Sequence, residues 1–503
     1  MENKKKRPNV ILILTDDQGY WALGCYGNKE IRTPNIDSLA EKGIRFEHFF
    51  CTSPVCSPAR ASLLTGRIPS QHGVHDWIRT GNGDRSGQPP IEYLEGITGY
   101  TELMANAGYT CGISGKWHMG ASNQPQKGYS YWYVAKQAGA GTYIDSDMFL
   151  GTEIVPTKGY LTDVITDGAL RFIDECCDAE EQKPFYLNLA YTAPHSPLVD
   201  QHPKEYVEHY LEHCTFESAP QDPKHPWSPE HPVEIQYSEK FADSSRTYVG
   251  VRDLLAGYYA AIQGVDDGVG RVLRKLEERG IRENTLVVFM SDNGFNCGHH
   301  GIWGKGNATF PLNLYDTSVK VPCIFSMPGV VRENVSSDAL LSGYDFMPTL
   351  LDFLHIDNPD SKQLPGRSFL PILLTDDSAE YRESVTVYDE YGKARMVRTK
   401  EWKYIRRYPD GPDELYDLVN DPGEYHNLLH ENRIFMHSPK EIKEKAQELG
   451  EILENWYRVY ADPGYDGVKE DVFGRGQIAK LEEKAEDQLH FHPLVKVEYT
   501  RST

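Results

Sequence analysis

From residue 9 to about residue 350, short unbroken apolar runs alternate with longer stretches in which apolar residues recur every three to four positions. That alternation predicts a mainly parallel sheet with helices packed on both faces. The first run covers residues 9–14 and carries Val10, Ile11, Leu12, Ile13 and Leu14 in succession, as a strand buried on both faces would. A helix follows, capped by Thr33 with Pro34 at its first position and running to Gly43. Further strands are expected over residues 109–113, 185–191, 285–290 and 321–326, and a long helix over 251–279 that stops at Gly280.

Two stretches break the alternation. Between residues 197 and 247 the periodicity fails and Pro, His, Tyr and Glu crowd the sequence, which reads as a long loop insertion near the substrate. Over residues 358–371, Pro359, Pro365, Gly366 and Pro371 mark a boundary. Beyond it, residues 385–390, 394–399, 402–408 and 413–418 read as consecutive strands of a small antiparallel sheet. A helix capped by Ser438, with Pro439 first and Glu441 completing a capping box, runs to about Tyr460. The last forty or so residues fit no element. The expected organisation is therefore a large α/β domain over 1–370 and a smaller α+β subdomain over 371–503, since 503 residues exceed one ordinary core.

Composition narrows what such a chain can do. Apolar content of 39% and charged content of 25% are those of an ordinary globular protein. A net charge of −22 excludes nucleic acid as a partner, because a polyanion needs a basic face. Any anionic ligand must then be gathered by local cations, with remote charges screened within about 10 Å. Nine cysteines in a chain of this size, an odd number that includes the adjacent Cys176 and Cys177, point to reduced thiols. Lys4, Lys5, Lys6 and Arg7 ahead of an apolar run imitate a signal peptide, but the run ends after five residues at Thr15, Asp16 and Asp17. No run approaches a membrane span. The chain as given is expected to be cytoplasmic, or periplasmic or secreted if a leader has been removed.

Chemistry is concentrated just after the expected strands. Asp16 and Asp17 follow the first, and Asp292 and Asn293 follow the strand at 285–290. In open α/β sheets ligands collect at the carboxyl ends of strands, so both pairs can converge. Three carboxylates and one amide oxygen are hard donors suited to Ca²⁺ or Mg²⁺ and offer nothing to a soft metal. Either pair alone is a weak signal, because Asp-Asp and Asp-Asn are common in turns.

Residues 56–67 read Cys-Ser-Pro-Ala-Arg-Ala-Ser-Leu-Leu-Thr-Gly-Arg. A buried thiol ahead of a helix would account for Pro58 and Gly66, but not for Arg60, Thr65 and Arg67 at this spacing. The run matches the sulfatase signature C-x-P-x-R followed by T-G-R. With Gly115-Lys116-Trp117-His118-Met119-Gly120 and Ala193-Pro194-His195-Ser196-Pro197 it carries a resemblance that extends from Asn9 to about Leu428. The chain resembles the formylglycine-dependent type I sulfatases of the bacterial cysteine type, within the alkaline phosphatase superfamily.

That resemblance implies an alkaline phosphatase-like sheet between helices, with an α+β subdomain after it. It implies that Cys56 is oxidised to formylglycine by a formylglycine-generating or radical maturation enzyme, the one protein partner expected. Asp16, Asp17, Asp292 and Asn293 would hold a divalent cation, usually Ca²⁺, that also touches residue 56. Arg60 would fix the aldehyde hydrate, Lys116 and Lys305 would neutralise sulfonyl oxygens, and His195 would protonate the departing alcohol. His118 would help the second hydroxyl expel the sulfate, while Thr65 and Arg67 buttress the turn.

A phosphonate monoester or phosphodiester hydrolase of the same superfamily is the alternative, though such relatives tend to place His where this chain has Asn293. A silent protein that binds sulfated glycans is a second alternative. Tyr206, Tyr210, Trp227 and Tyr237 in the insertion, with His75, Trp77 and Arg79 in an early loop, could stack on sugar rings or hold a uronate. A carbohydrate sulfate from a glycan or glycosaminoglycan is therefore the expected substrate. Trp77, Arg79 and, more weakly, His300 are the expected contacts.

Overall fold

The computed structural model describes residues 7–79, 90–137, 141–228, 250–375, 381–389, 393–430, 437–467 and 476–481. In chain order the strands are β1 (Asn9–Thr15), β2 (Ile44–Phe50), β3 (Thr110–Gly115), β4 (Tyr131–Ala135), β5 (Asp147–Leu150), β6 (Glu153–Pro156), β7 (Phe185–Ala190) and β8 (Thr285–Ser291). They continue with β9 (Asn296–Cys297), β10 (Trp303–Gly304), β11 (Cys323–Ser326) and β12 (Val335–Ser342), then β13 (Val385–Asp389), β14 (Ala394–Arg398), β15 (Trp402–Arg407) and β16 (Glu414–Asp417).

Ten of these form one mixed sheet in the order β12-β2-β11-β8-β1-β7-β3-β4-β5-β6. Its centre, β8-β1-β7-β3-β4, is parallel throughout, and this is where the unbroken apolar runs lie. β1 and β8 are buried along their whole length, because helices cover both faces. Antiparallel pairing enters through β11 on one side and β5 and β6 on the other. A two-stranded ribbon, β9 with β10, projects from the loop after β8.

The insertion is not all loop. It contains a helix, Lys204–His213, which starts after Pro203 and lays Tyr206, Val207, Tyr210 and Leu211 on the apolar cluster of the long helix Val251–Glu278. The mixture of His, Tyr and Glu hid its i, i+4 spacing. Residues 229–249, including Tyr237, lie outside the described residues. Thr33 stands at the start of Pro34–Glu41 but does not cap it with its side chain, which bonds Asp37 and Gly24 instead. The first amides of that helix are met by Asp266 of the long helix, at 3.2 Å from Asn35 N and 2.7 Å from Ile36 N. Several expected boundaries shift by one or two residues; among them this helix ends at Glu41, β3 starts at Thr110 and β11 starts at Cys323.

The C-terminal strands β13 to β16 pair antiparallel in chain order. Across them lies the helix Pro439–Tyr460, whose Ser438 Oγ accepts from Glu441 N at 3.3 Å while Glu441 accepts from Ser438 N at 2.6 Å. Leu449, Leu453 and Tyr457 of this helix pack on Val397, Tyr404 and Leu415. The end of the expected strand at Glu390 and the tail from 482 lie outside the described residues. All nine cysteines are free thiols. Among the described residues no helix is long and apolar enough to cross a membrane.

Candidate active site

The register of the central strands builds the site. Thr15 of β1 stands opposite Ser291 of β8, so Asp16 and Asp292 leave the sheet side by side, with Asp292 N bonded to Thr15 O at 3.1 Å. Gly115 of β3 stands opposite Ala190 of β7, and Lys116 N bonds Ala190 O at 2.7 Å. A side chain at 115 would meet that carbonyl at 1.8 Å with φ at +117°, so only glycine lets β3 approach and aim Lys116 inward. The segment after β7 folds over β1, where Asp16 N bonds Ala193 O at 3.2 Å and His195 follows. Four adjacent parallel strands thus deliver Asp292 and Asn293, Asp16 and Asp17, His195, and Lys116 with His118 to one edge.

Cys56 arrives from elsewhere. It opens the helix Cys56–Thr65, which is buried over its whole length and ends at Gly66 in the left-handed region. The helix N-terminus carries positive partial charge toward the site. Thr65 and Arg67 brace the far end: Thr65 Oγ1 donates to Ala61 O at 2.7 Å and accepts from Arg67 N, and Arg67 pairs with Asp360 at 2.7 Å.

Around Cys56 the charges interlock. Its Sγ is 3.1 Å from Asp16 Oδ1, 3.9 Å from Asp17 Oδ1 and 2.6 Å from Lys305 Nζ, which also donates to Asp17 Oδ1 at 2.5 Å. Lys116 Nζ pairs with Asp16 Oδ2. Arg60 Nε donates to Asp292 Oδ2 at 2.7 Å and its Nη1 to Lys116 O at 3.1 Å. His195 Nε2 stands 3.7 Å from Asp17 Oδ2, with Nδ1 2.8 Å from Ser196 O and the backbone held by the Tyr143 hydroxyl at 2.7 Å. His118 Nε2 is 3.2 Å from the Ile78 carbonyl, so that nitrogen carries the proton and Nδ1, buried and without a partner, is left with its lone pair.

Burial and neighbouring charge set the protonation states. Burial pushes Asp16 up, but Lys116, His195, Arg60 and Lys305 together hold it well below the usual carboxylate range. Burial, reinforced by Asp16, pushes Asp292 up despite Arg60. Burial and then Asp16 push the Cys56 thiol up against the pull of Lys116 and Lys305. A buried thiol of this kind is a poor thiolate. Burial opposes the charge of Lys305, yet Asp17, Cys56 and Asp16 raise it. His118 is held neutral by burial first and Lys116 second.

Asp16, Asp17 and Asp292 each offer an oxygen, and these lie within 4.8 Å of one another. Asn293 adds a buried Oδ1 that no protein group satisfies, while its Nδ2 donates to Asp17 Oδ1 at 2.8 Å. Four oxygen donors with one left unpaired fit a hard divalent cation.

Trp77 and Arg79 lie on the loop whose Ile78 carbonyl meets His118. Trp77 is half-buried against the cluster of Val55, the residue before Cys56, and Arg79 is exposed. His300 is not with the charged cluster. Its ring stacks on Tyr315 at 3.8 Å and leans on Tyr425 at 4.9 Å, lining a cavity of about 670 Å³ between segment 222–227 and the C-terminal sheet. Sequence reasoning missed the second layer: Ser57, Tyr143, Gln477 and Tyr258, whose hydroxyl donates to Asp17 O at 2.8 Å. Ser57 lies inside the Cys56–Arg67 motif as its variable second position, while Tyr143, Gln477 and Tyr258 belong to no motif and act across long sequence separations.

A mixed sheet whose parallel centre brings carboxylates, lysines and histidines onto one buried residue suits an enzyme that hydrolyses an ester of a small oxyanion. Residues 8–356 match the sulfatase family model, and residues 298–451 match the model described as N-sulphoglucosamine sulphohydrolase, C-terminal. The chain belongs to the type I sulfatase family and is a sulfuric ester hydrolase.

Among its relatives, the N-acetylglucosamine-6-O-sulfatase of Bacteroides thetaiotaomicron is 27% identical, covering 96% of this chain and 92% of that one. The uncharacterized sulfatase YidJ of Escherichia coli is 31% identical over 85% of this chain and 84% of its own. A structure solved in complex with its substrate D-glucosamine-2-N,6-O-disulfate superposes with a TM-score of 0.74 at 25% identity, covering 92% of this chain and all of that one.

Proposed function

We propose that this enzyme hydrolyses a sulfate ester on an amino sugar or related glycan unit, with Cys56 converted to formylglycine and Ca²⁺ as the bound cation. The observation that carries the reading is the cluster itself: Lys305 Nζ lies 2.6 Å from Cys56 Sγ and 2.5 Å from Asp17 Oδ1, with Lys116 on Asp16 opposite. A sulfate ester carries one negative charge spread over oxygens, and two buried ammonium groups flanking one position suit it. The carbohydrate class is supported by the relatives named for N-acetylglucosamine 6-sulfate and glucosamine disulfate.

Asp16, Asp17, Asp292 and Asn293 would hold the cation, which when bound supplies positive charge to the sulfate oxygens. As formylglycine, residue 56 would supply, once hydrated, one hydroxyl as the nucleophile and a second whose proton is lost as the aldehyde returns and sulfate leaves. The rest is the work of side chains already in place. Arg60, tied to Asp292 and the Lys116 carbonyl, keeps the head of the Cys56–Thr65 helix fixed. Lys116 and Lys305 bind the sulfonyl oxygens. His195, partly exposed at the mouth, is the group able to hand a proton to the leaving alcohol. His118, neutral with Nδ1 free, can accept a proton from the second hydroxyl.

The test is release of inorganic sulfate from a panel of mono- and disaccharide sulfates, an aryl sulfate and an aryl phosphonate monoester, with protein purified from its native host. Turnover of an amino-sugar sulfate above the aryl ester supports the reading. Preference for the phosphonate, or activity on small aryl esters alone, would sink it.

A further inference from the structure

The segment Gly476–Leu481 returns from the far end of the chain to the loop that adjoins the active site. Gln477 is wholly buried and pairs as an isolated bridge with Ile78. Its backbone brackets that residue: Gln477 N donates to Trp77 O at 2.8 Å, and Arg79 N donates to Gln477 O at 3.1 Å. Its side chain closes the loop from inside. Oε1 accepts from His75 N at 3.0 Å, and Nε2 donates to Gly73 O and to Ala479 O, both at 3.0 Å. Gly476 completes the seat, donating to Asp76 Oδ2 at 2.8 Å with φ at +97°, where a side chain would press on Trp77 and Arg79 at 3.0 Å.

What this clamp holds is Ile78, and Ile78 faces the chemistry with both of its peptide groups. Ile78 N donates to Ser57 Oγ at 3.0 Å, one residue beyond the nucleophile position. Ile78 O takes the Nε2 proton of His118 at 3.2 Å, and that bond fixes which His118 nitrogen keeps its lone pair.

We propose that Gln477 is a positioning residue for the reaction: through the 73–79 loop it sets the tautomer and place of His118 and the seat of Ser57 beside residue 56. The inference rests on the reading of residue 56 and His118 as reacting groups. It gives the C-terminal segment, distant in sequence from every motif, a part in turnover rather than only in packing.

The variants are Gln477→Met, which keeps volume and removes the side-chain bonds, and Gln477→Glu, which keeps the acceptor for His75 but sets a carboxylate against two carbonyls. Lys480→Ala, which breaks only the ion pair with Glu95, is the control. In the best sugar sulfate assay, Gln477→Met is expected to lower kcat about tenfold or more with KM within about twofold, and to move the pH–rate profile; Lys480→Ala leaves both unchanged. Hydrogen exchange should quicken at the His75 amide in Gln477→Met, which loses its acceptor, and at the Arg79 amide in both Gln477 variants.

A folded Gln477→Met protein with unchanged kcat and pH profile overturns the proposal, as does unchanged exchange at those amides. If Gln477→Met does not fold, Gln477→Glu carries the same readings, with exchange read at the Arg79 amide. If the wild-type protein turns over no sulfate ester, the functional reading has failed on its own. The ¹⁵N resonances of the His118 ring then decide the positioning claim: displacement in the variant upholds it, and identity with wild type overturns it.

Discussion

The cluster around Cys56 and the cluster around Lys403 bury similar charges, yet they are satisfied in different ways. Around Lys403, every carboxylate oxygen has a protein donor. Asp316 Oδ1 takes Lys403 Nζ at 2.8 Å and Oδ2 takes Arg398 at 3.2 Å; Glu424 Oε1 takes Lys403 and Oε2 takes Asp316 N at 2.6 Å. The loop after the active site is thereby pinned to β14 and β15. Around Cys56, Asn293 Oδ1, Arg60 Nη2 and His118 Nδ1 are buried without hydrogen-bond partners, and carboxylates are packed side by side. The first arrangement is closed and serves to join; the second is open toward a ligand. Buried charge alone marks neither role, nor does one unfilled donor, since Arg398 Nε is also buried without a hydrogen-bond partner; the unpaired acceptors, Asn293 Oδ1 and His118 Nδ1, beside three crowded carboxylates tell the clusters apart.

The comparison can be broken by substitution. Cys56→Ala should abolish sulfate release, by about four orders of magnitude or more, while the melting midpoint moves by only a few degrees. Turnover assays beside calorimetry would show it, and a comparable loss of stability would make Cys56 part of the closed kind. Lys403→Met should do the reverse. Removing the one cation shared by Asp316 and Glu424 is expected to cost about 3–5 kcal/mol in denaturant unfolding, with kcat per folded molecule within about twofold.

Cation binding separates the clusters more finely. Saturating Ca²⁺ should raise the melting midpoint, by the equivalent of about 2–3 kcal/mol at a hundredfold excess over Kd. The rise should survive in Lys403→Met and vanish in Asp17→Asn; a rise that survives in both would place the cation elsewhere.

The smallest effect is in pH. Burial holds Asp316 up in part, but Lys403 and Arg398 pull it well below the usual range, so its contribution exists above about pH 4 and is lost as pH falls through its folded value. Burial and then Asp316 push Glu424 up to about 7, so its contribution is present at low pH and is lost as pH rises through 7. Stability from this joint should peak between these limits. Glu424→Gln should remove the decline between about pH 4.5 and 7, a change of about 1–2 °C in melting midpoint; an undiminished decline would assign it to other groups.

Much of the site was legible because its chemistry sits directly after apolar runs that betray buried strands. Asp16, Asp292, Lys116 and His195 each follow such a run, and parallel register does the rest. The capping box at Ser438 and Glu441 was legible for a like reason, being local. What escaped is what forms across distance. His75 and Gln477 are 402 positions apart, and no periodicity in either stretch announces their bond. The helix Lys204–His213 escaped because its inward positions are the buried Tyr210 and the partly buried Tyr206 and Val207 among His and Glu, and the cap of the helix Pro34–Glu41 because Asp266 supplies it from another helix. His300 sits beside a lysine loop in sequence, but its backbone at φ 55° turns the ring onto Tyr315.

The central claim is that the open cluster exists to serve an aldehyde at residue 56. Mass spectrometry of the peptide bearing Cys56, taken from active protein of the native host, addresses this directly, with activity measured on the same preparations. The account predicts formylglycine at residue 56, and turnover per molecule that rises in proportion to the aldehyde fraction. Fully active protein carrying an intact Cys56 thiol would contradict it.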